Sequence, residues 1–151
     1  MRETYKENEK GFSLVELIIV VAIMAILIGV LAPQYIKYVE KSRVSADKDL
    51  LDSVYNACTT AASDPEISAG TIPNPNTSGI SVTSGAGTWG GEVLNTLGTS
   101  SFGTVEAKLK SKIGRNQNIK IDTDANGNFT VYVGSKNDAS SGITVGAGAN
   151  N

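Results

Sequence analysis

The feature that most constrains this chain is an apolar run from Gly11 to Ala32, GFSLVELIIVVAIMAILIGVLA, interrupted by a single acid, Glu16. From Phe12 to Ala32, at a rise of about 1.5 Å per residue, a helix would be roughly 30 Å long, enough to cross the hydrocarbon core of a bilayer. A cleaved secretory signal is the first alternative. The run is longer than the apolar core of such a signal, and Pro33 directly follows Val30-Leu31-Ala32, the best small-residue cleavage site, where it opposes cleavage. A transmembrane helix is the better reading. Charge does not orient it, because Arg2, Lys6 and Lys10 on one side are matched by Lys37, Lys41 and Arg43 on the other.

Glu16 needs its own account. A carboxylate in a membrane segment costs about 2.5–3.5 kcal/mol at the helix centre and less near an end. Glu16 lies about one turn in from Phe12, so it can snorkel to the interface; otherwise an ionisable group at this depth serves a function.

With the anchor subtracted, 151 residues leave room for one small domain. Its second half is rich in Gly, Ser, Thr and Asn, buries little core and must lean on the helix before it. A net charge of −2 argues against attraction to nucleic acid through the field of the whole chain, and the local cluster Lys108, Lys110, Lys112 and Arg115 reads as a solvated face. No specific nucleic-acid site is evident. Without His there is neither a His-based metal site nor a His general base. The single Cys58 forms no internal disulfide and reads as a buried, reduced thiol.

Pro33 predicts a kink or local unwinding around Gly29–Pro33. Beyond it Ile36, Val39, Ala46, Leu50, Val54, Ala57 and Ala61 recur at helical spacing, while Lys41, Arg43, Lys48, Asp49 and Asp52 fall largely on other faces. An amphipathic helix therefore continues to about Ser63, where Asp64-Pro65 ends it. Tyr35 and Tyr38 stand where an interfacial aromatic belt would be.

Asp64 to about Gly91 is turn-rich, with Ile80 to Thr83 as a candidate edge strand. Glu92–Leu97 and Thr104–Ile113 read as short helices, the second stopped by Gly114, with Trp89 and Phe102 docking this part onto the amphipathic helix. Asn118–Asp122 and Phe129–Val133 alternate around Asn126-Gly127 and predict a hairpin, which Ile143–Val145 joins as a third strand. The tail from Gly146 is low-complexity and expected to fray. Asp122, Asp124, Asn126 and Gly127 also follow the D-x-D-x-N-G opening of a calcium loop. Val133 stands where that loop needs its bidentate acid, and no long helices flank it, so a plain hairpin is expected and no cofactor or metal.

Gly11-Phe-Ser-Leu-Val-Glu16, preceded by Lys10 and followed by an unbroken apolar helix, closely resembles the processing motif of type IV prepilins and the related pseudopilins. The resemblance covers roughly the first third of the chain. It implies a short leader of the class III type, residues 1–11, cut between Gly11 and Phe12 by a prepilin peptidase, with the new Phe12 amine N-methylated. It also implies an exported C-terminal part and a pilus assembly platform as partner. Glu16 would pair with the Phe12 ammonium of a neighbouring subunit, making Phe12, Glu16 and Pro33 the assembly residues.

The implied fold is α+β, a long N-terminal helix packed on a small antiparallel sheet. The expected divisions are the leader 1–11, a transmembrane and polymerisation helix 12–33, its amphipathic half 34–63, a variable loop with short helices 64–117, and a sheet with tail 118–151. The expected function is a non-enzymatic pilin, a single-pass protein of the cytoplasmic membrane and then a homopolymer in an extracellular filament. A pseudopilin of a secretion or competence system is the alternative. The chain lacks the C-terminal Asp-Pro-Trp-Gly stretch of type II major pseudopilins, the paired cysteines usual in competence pseudopilins, and the C-terminal disulfide loop of the better-known pilins. A membrane-tethered enzyme or binding domain would need convergent titratable groups, and the exported half has only scattered acids.

Overall fold

The computed structural model describes residues 11–147; residues 1–10, most of the expected leader, and 148–151, the end of the tail, lie outside the described residues. Helix α1 occupies Leu14–Ser63. A 3-10 turn at Ala69–Thr71, helices α2 (Trp89–Thr96) and α3 (Phe102–Glu106), and strands β1 (Lys120–Thr123), β2 (Phe129–Gly134) and β3 (Gly142–Gly146) follow. The chain divides into two compact units, one ending at Val39 and the other beginning at Glu40.

In the first unit α1 is helical through Gly29–Pro33, so the expected unwinding does not occur. Pro33 removes one donor from the ladder, but turns on both sides already carry the cost of nucleation.

In the second unit α1 presents Asp47, Leu51, Val54, Ala57, Cys58 and Ala61 inward. Positions 47, 51, 54, 58 and 61 recur at intervals of four and three, the spacing of one helical stripe. Ala46, expected on this stripe, is exposed, and Asp47 takes the inward place. The three strands form an antiparallel meander in the order β1-β2-β3, with Ile121, Val131 and Val145 in one cross-strand row and Val133 opposite Ile143 in another. These residues and Leu51, Val54, Ala57, Cys58 and Ala61 of α1 share one core cluster with Trp89, Val93, Val105 and Leu109. Each fully buried aliphatic side chain contributes about 1.5–3 kcal/mol. The architecture is the expected α+β one.

Three local expectations are corrected. Helix α2 starts at Trp89 rather than Glu92, because the Thr88 hydroxyl caps it by accepting from the Gly91 amide at 3.1 Å. Helix α3 stops at Glu106 instead of running to Ile113, because two acids of α1 capture the amides that would continue it. Residues 80–83 form no strand. Asn76 to Ile80 instead lies along β1 through Asn76 N to Asp124 O, Thr123 N to Thr77 O and Ile80 N to Ile121 O, and the positive φ of Asn76 and Gly79 breaks its extension.

The hairpin forms as expected, with the five residues 124–128 between its last paired residues, Thr123 and Phe129. Gly127 alone of its Asn-Gly pair has a positive φ, and its amide closes a turn onto the Asp124 carbonyl at 3.1 Å. The start of the tail is held rather than frayed: the Ala147 amide donates to the Phe129 carbonyl at 3.0 Å and the Thr130 hydroxyl donates to the Ala147 carbonyl.

Candidate functional site

The start of α1 is built by Ser13-Leu-Val-Glu16, the sequence of a capping box. Ser13 precedes the helix and its carbonyl accepts the first intrahelical bond, from Leu17, at 3.2 Å. Glu16, in the first turn, reaches back so that its Oε2 accepts from the Ser13 amide at 2.9 Å. One carboxylate oxygen is thereby engaged and the other receives no hydrogen bond from the described residues. Phe12, just ahead, is 94% exposed. A Cβ on Gly11 would meet nothing within 4 Å among the described residues, so no packing against them calls for glycine there.

Among the described residues, the apolar side chains of the first unit from Leu14 to Ile36 find no cover, and Val39 is half-buried. Ile18, Ile23, Ile26, Leu27, Val30 and Ile36 are each more than half exposed, and the most apolar 18-residue window of α1 has a mean hydropathy of 3.1 with none of it buried. The helix is apolar all round and so has no polar face to give to water. Such a surface needs lipid or other helices around it. Pro33 lies in this segment, and Tyr35 and Tyr38 beyond it are 70% exposed.

The possible calcium residues are drawn to other tasks. The Asp122 carboxylate is largely buried; Oδ1 accepts from the Gly79 amide at 3.0 Å and the Tyr132 hydroxyl at 3.5 Å, while Oδ2 pairs with Lys136 Nζ at 3.0 Å. Asp124 closes its own turn, Oδ1 accepting from the Asn126 and Asn128 amides, each at 2.8 Å, and Oδ2 from the Asn128 side chain at 2.9 Å. Those bonds, that of the Asn128 side chain foremost, hold the Asp124 carboxyl below its ordinary 3.8. Asn126 contributes its amide to this turn. Among the described residues no group of three or more His, Cys, Asp or Glu side chains could hold a metal ion. Cys58 is fully buried, and desolvation pushes its thiol up to about 12.

Sequence reasoning missed two acids on α1. Asp47 is 1% exposed; its Oδ1 accepts from the Lys110 amide at 2.8 Å and its Oδ2 from the Ser111 amide at 2.9 Å. Glu40 Oε1 accepts from the Lys112 amide. Together they clamp the segment after α3 onto the helix. Gly114 fits there because a Cβ would stand 2.6 Å from Asp47 Oδ2. The four-and-three spacing from Asp47 to Leu51 and Val54 was the available signal.

A family model described as the prokaryotic N-terminal methylation motif matches residues 6–32. A fimbrial protein of Eikenella corrodens, EcpC, is 34% identical over 110 residues, 70% of this chain and 66% of that protein. The type IV major fimbrial protein FimA of Dichelobacter nodosus is 52% identical over 40 residues, 26% of each chain. The type IV major pilin protein PilA of Myxococcus xanthus is 40% identical over 53 residues, 35% of this chain and 24% of that protein. The match thus spans about a quarter of the FimA and PilA lengths and two-thirds of EcpC. No solved structure matches the chain.

Proposed function

The chain belongs to the type IV pilin family, and we propose that it is a structural subunit of an extracellular type IV filament, cut between Gly11 and Phe12 and methylated on the new Phe12 amine. One observation carries this reading: a helix apolar on every side, left uncovered by the described residues, begins directly at a Gly-Phe-x-x-x-Glu motif. Before assembly the bilayer covers that surface; in the filament, the same segments of other copies do. Exchanging lipid for protein in this way needs no polar contact except at Glu16 and the chain terminus.

Cleavage turns the Phe12 nitrogen from an amide into an ammonium group. The Glu16 carboxylate has one oxygen that no described residue engages, and an unpaired charge of either sign is costly in a medium of low dielectric constant. Pairing Glu16 of one copy with Phe12 of the next therefore rewards one axial register over others. The glycine at position 11, which no contact with the described residues requires, suits close approach by a membrane-embedded peptidase. The assembly platform acts at the membrane stage, with the second unit exported.

Sequencing the N-terminus of the exported protein tests the reading. N-methylphenylalanine at Phe12 is the expected result, and an intact leader on surface-exposed protein would overturn it. Electron microscopy of cells with and without the gene then separates a surface filament from the short periplasmic assembly that a pseudopilin would form.

A further inference from the structure

The segment from Ala107 to Lys120 contains Lys108, Lys110, Lys112, Arg115 and Lys120 and no acid. All five cations are exposed, and none belongs to an ion pair among the described residues, where the pairs are Arg43 with Glu40 and Lys136 with Asp122. The clamp decides where two of them stand. By taking the amides of Lys110, Ser111 and Lys112, Asp47 and Glu40 bring this backbone to the stretch of α1 that carries Lys41, Arg43 and Lys48, all exposed. The same contacts turn both carboxylates to backbone donors, so Asp47 is sealed inside and Glu40 shares its charge with an amide and with Arg43 at 3.8 Å. Asp49 is the one other acid between residues 40 and 50.

We infer that Lys41, Lys110 and Lys112, with Arg43, form a cationic surface that engages anionic phospholipid headgroups while the chain is still in the membrane. Lipid is favoured over other polyanions by the tether: Lys41 follows Ala32, the end of the apolar run, by nine residues, so the chain itself keeps this surface near the bilayer that holds the run. Clustered Lys and Arg beside a membrane span attract anionic lipid over about a Debye length. The net charge of −2 gives no long-range attraction to either polyanion, and nucleic acid has no such tether to offset that. Headgroup contact would hold the second unit close to the bilayer until assembly lifts it away. This rests on the proposed membrane stage of the pilin.

The test uses the full chain in lipid nanodiscs, either of phosphatidylcholine alone or with phosphatidylglycerol, and measures the rate at which each lysine is acetylated by a small reagent. Lys41, Lys110 and Lys112 are expected to react several-fold more slowly in the anionic discs, with Lys120 much less affected and the difference lost at about 0.5 M salt, where screening is strong. Equal rates in the two lipids overturn the proposal. So does equal protection of the same lysines by a short DNA duplex added to neutral discs, which marks a general polyanion surface. N-terminal peptide masses of protein exported by cells separately report Phe12 processing, so failure of the pilin reading is distinguishable from failure of the lipid contact.

Discussion

Helix α1 carries two acids on otherwise apolar surface, and they are resolved in opposite ways. Asp47 is sealed in the second unit, and both its oxygens are satisfied by amides from residues 63 and 64 positions away. Glu16 is exposed in the first unit, and its one bond is to an amide three residues away. A carboxylate satisfied within its own chain organises that chain's fold. One with an oxygen that no described residue engages, on apolar surface that no described residue covers, is the group that the proposed function assigns to contact with another copy.

The largest expected effect lies at Glu16. Glu16→Ala should abolish filaments seen by electron microscopy while leaving cleavage between Gly11 and Phe12 and the fold of the second unit intact. Normal filaments from this variant would erase the distinction between the two acids. Asp47→Ala should do the reverse to the fold, leaving two amides short of a buried acceptor at about 1–3 kcal/mol each, read by denaturant unfolding of the full chain in detergent. A shift in midpoint no larger than that of Glu16→Ala would show that the clamp does not organise the fold.

A smaller effect is expected across the same core. Trp89 donates its indole N–H to the Cys58 carbonyl at 3.1 Å and stacks on Phe129 with ring centroids 5.5 Å apart. Trp89→Phe should keep much of the stacking and lose the hydrogen bond, at about 1 kcal/mol. Cys58 offers a check without mutation. Its thiol, pushed up to about 12, stays protonated near neutrality, so an alkylating reagent should modify it only at the rate of unfolding.

The smallest effect is a pH dependence. Asp124 and Asp138 are held below 3.8, Asp138 chiefly by the Ser140 hydroxyl. A depressed folded value means that ionised carboxylates stabilise the fold above the ordinary value and lose that contribution as pH falls through the folded one. Stability should therefore decline on acidification below about 4, and less so in Asp124→Asn with Asp138→Asn. Both carboxyls are exposed and solvent-screened, so the slope should be shallow.

Much of this was legible in the residues. The apolar run, the end of α1 at Ser63 and the three strands follow from hydrophobic period and turn residues, which act locally. The capping-box pattern at Ser13–Glu16 stood in the same motif that carried the family resemblance. The clamp was not legible in the same way. Thr104 to Ile113 has a good helical pattern, yet its last amides go to Asp47 and Glu40, and nothing within the segment announces that competition.

The sequence by itself therefore determined the apolar run, the extent of the long helix, the hairpin and the family motif, because each is written in neighbours a few residues apart. Only the tertiary structure decided that Asp47 and not Ala46 faces inward, that α3 ends at Glu106, and that residues 76–80 cover β1 without becoming a strand. Those outcomes depend on which distant donor reaches which acceptor once the chain has packed. A buried carboxylate outbids a helix for its amides because a buried charge left without donors costs more than a helix ended one or two turns early.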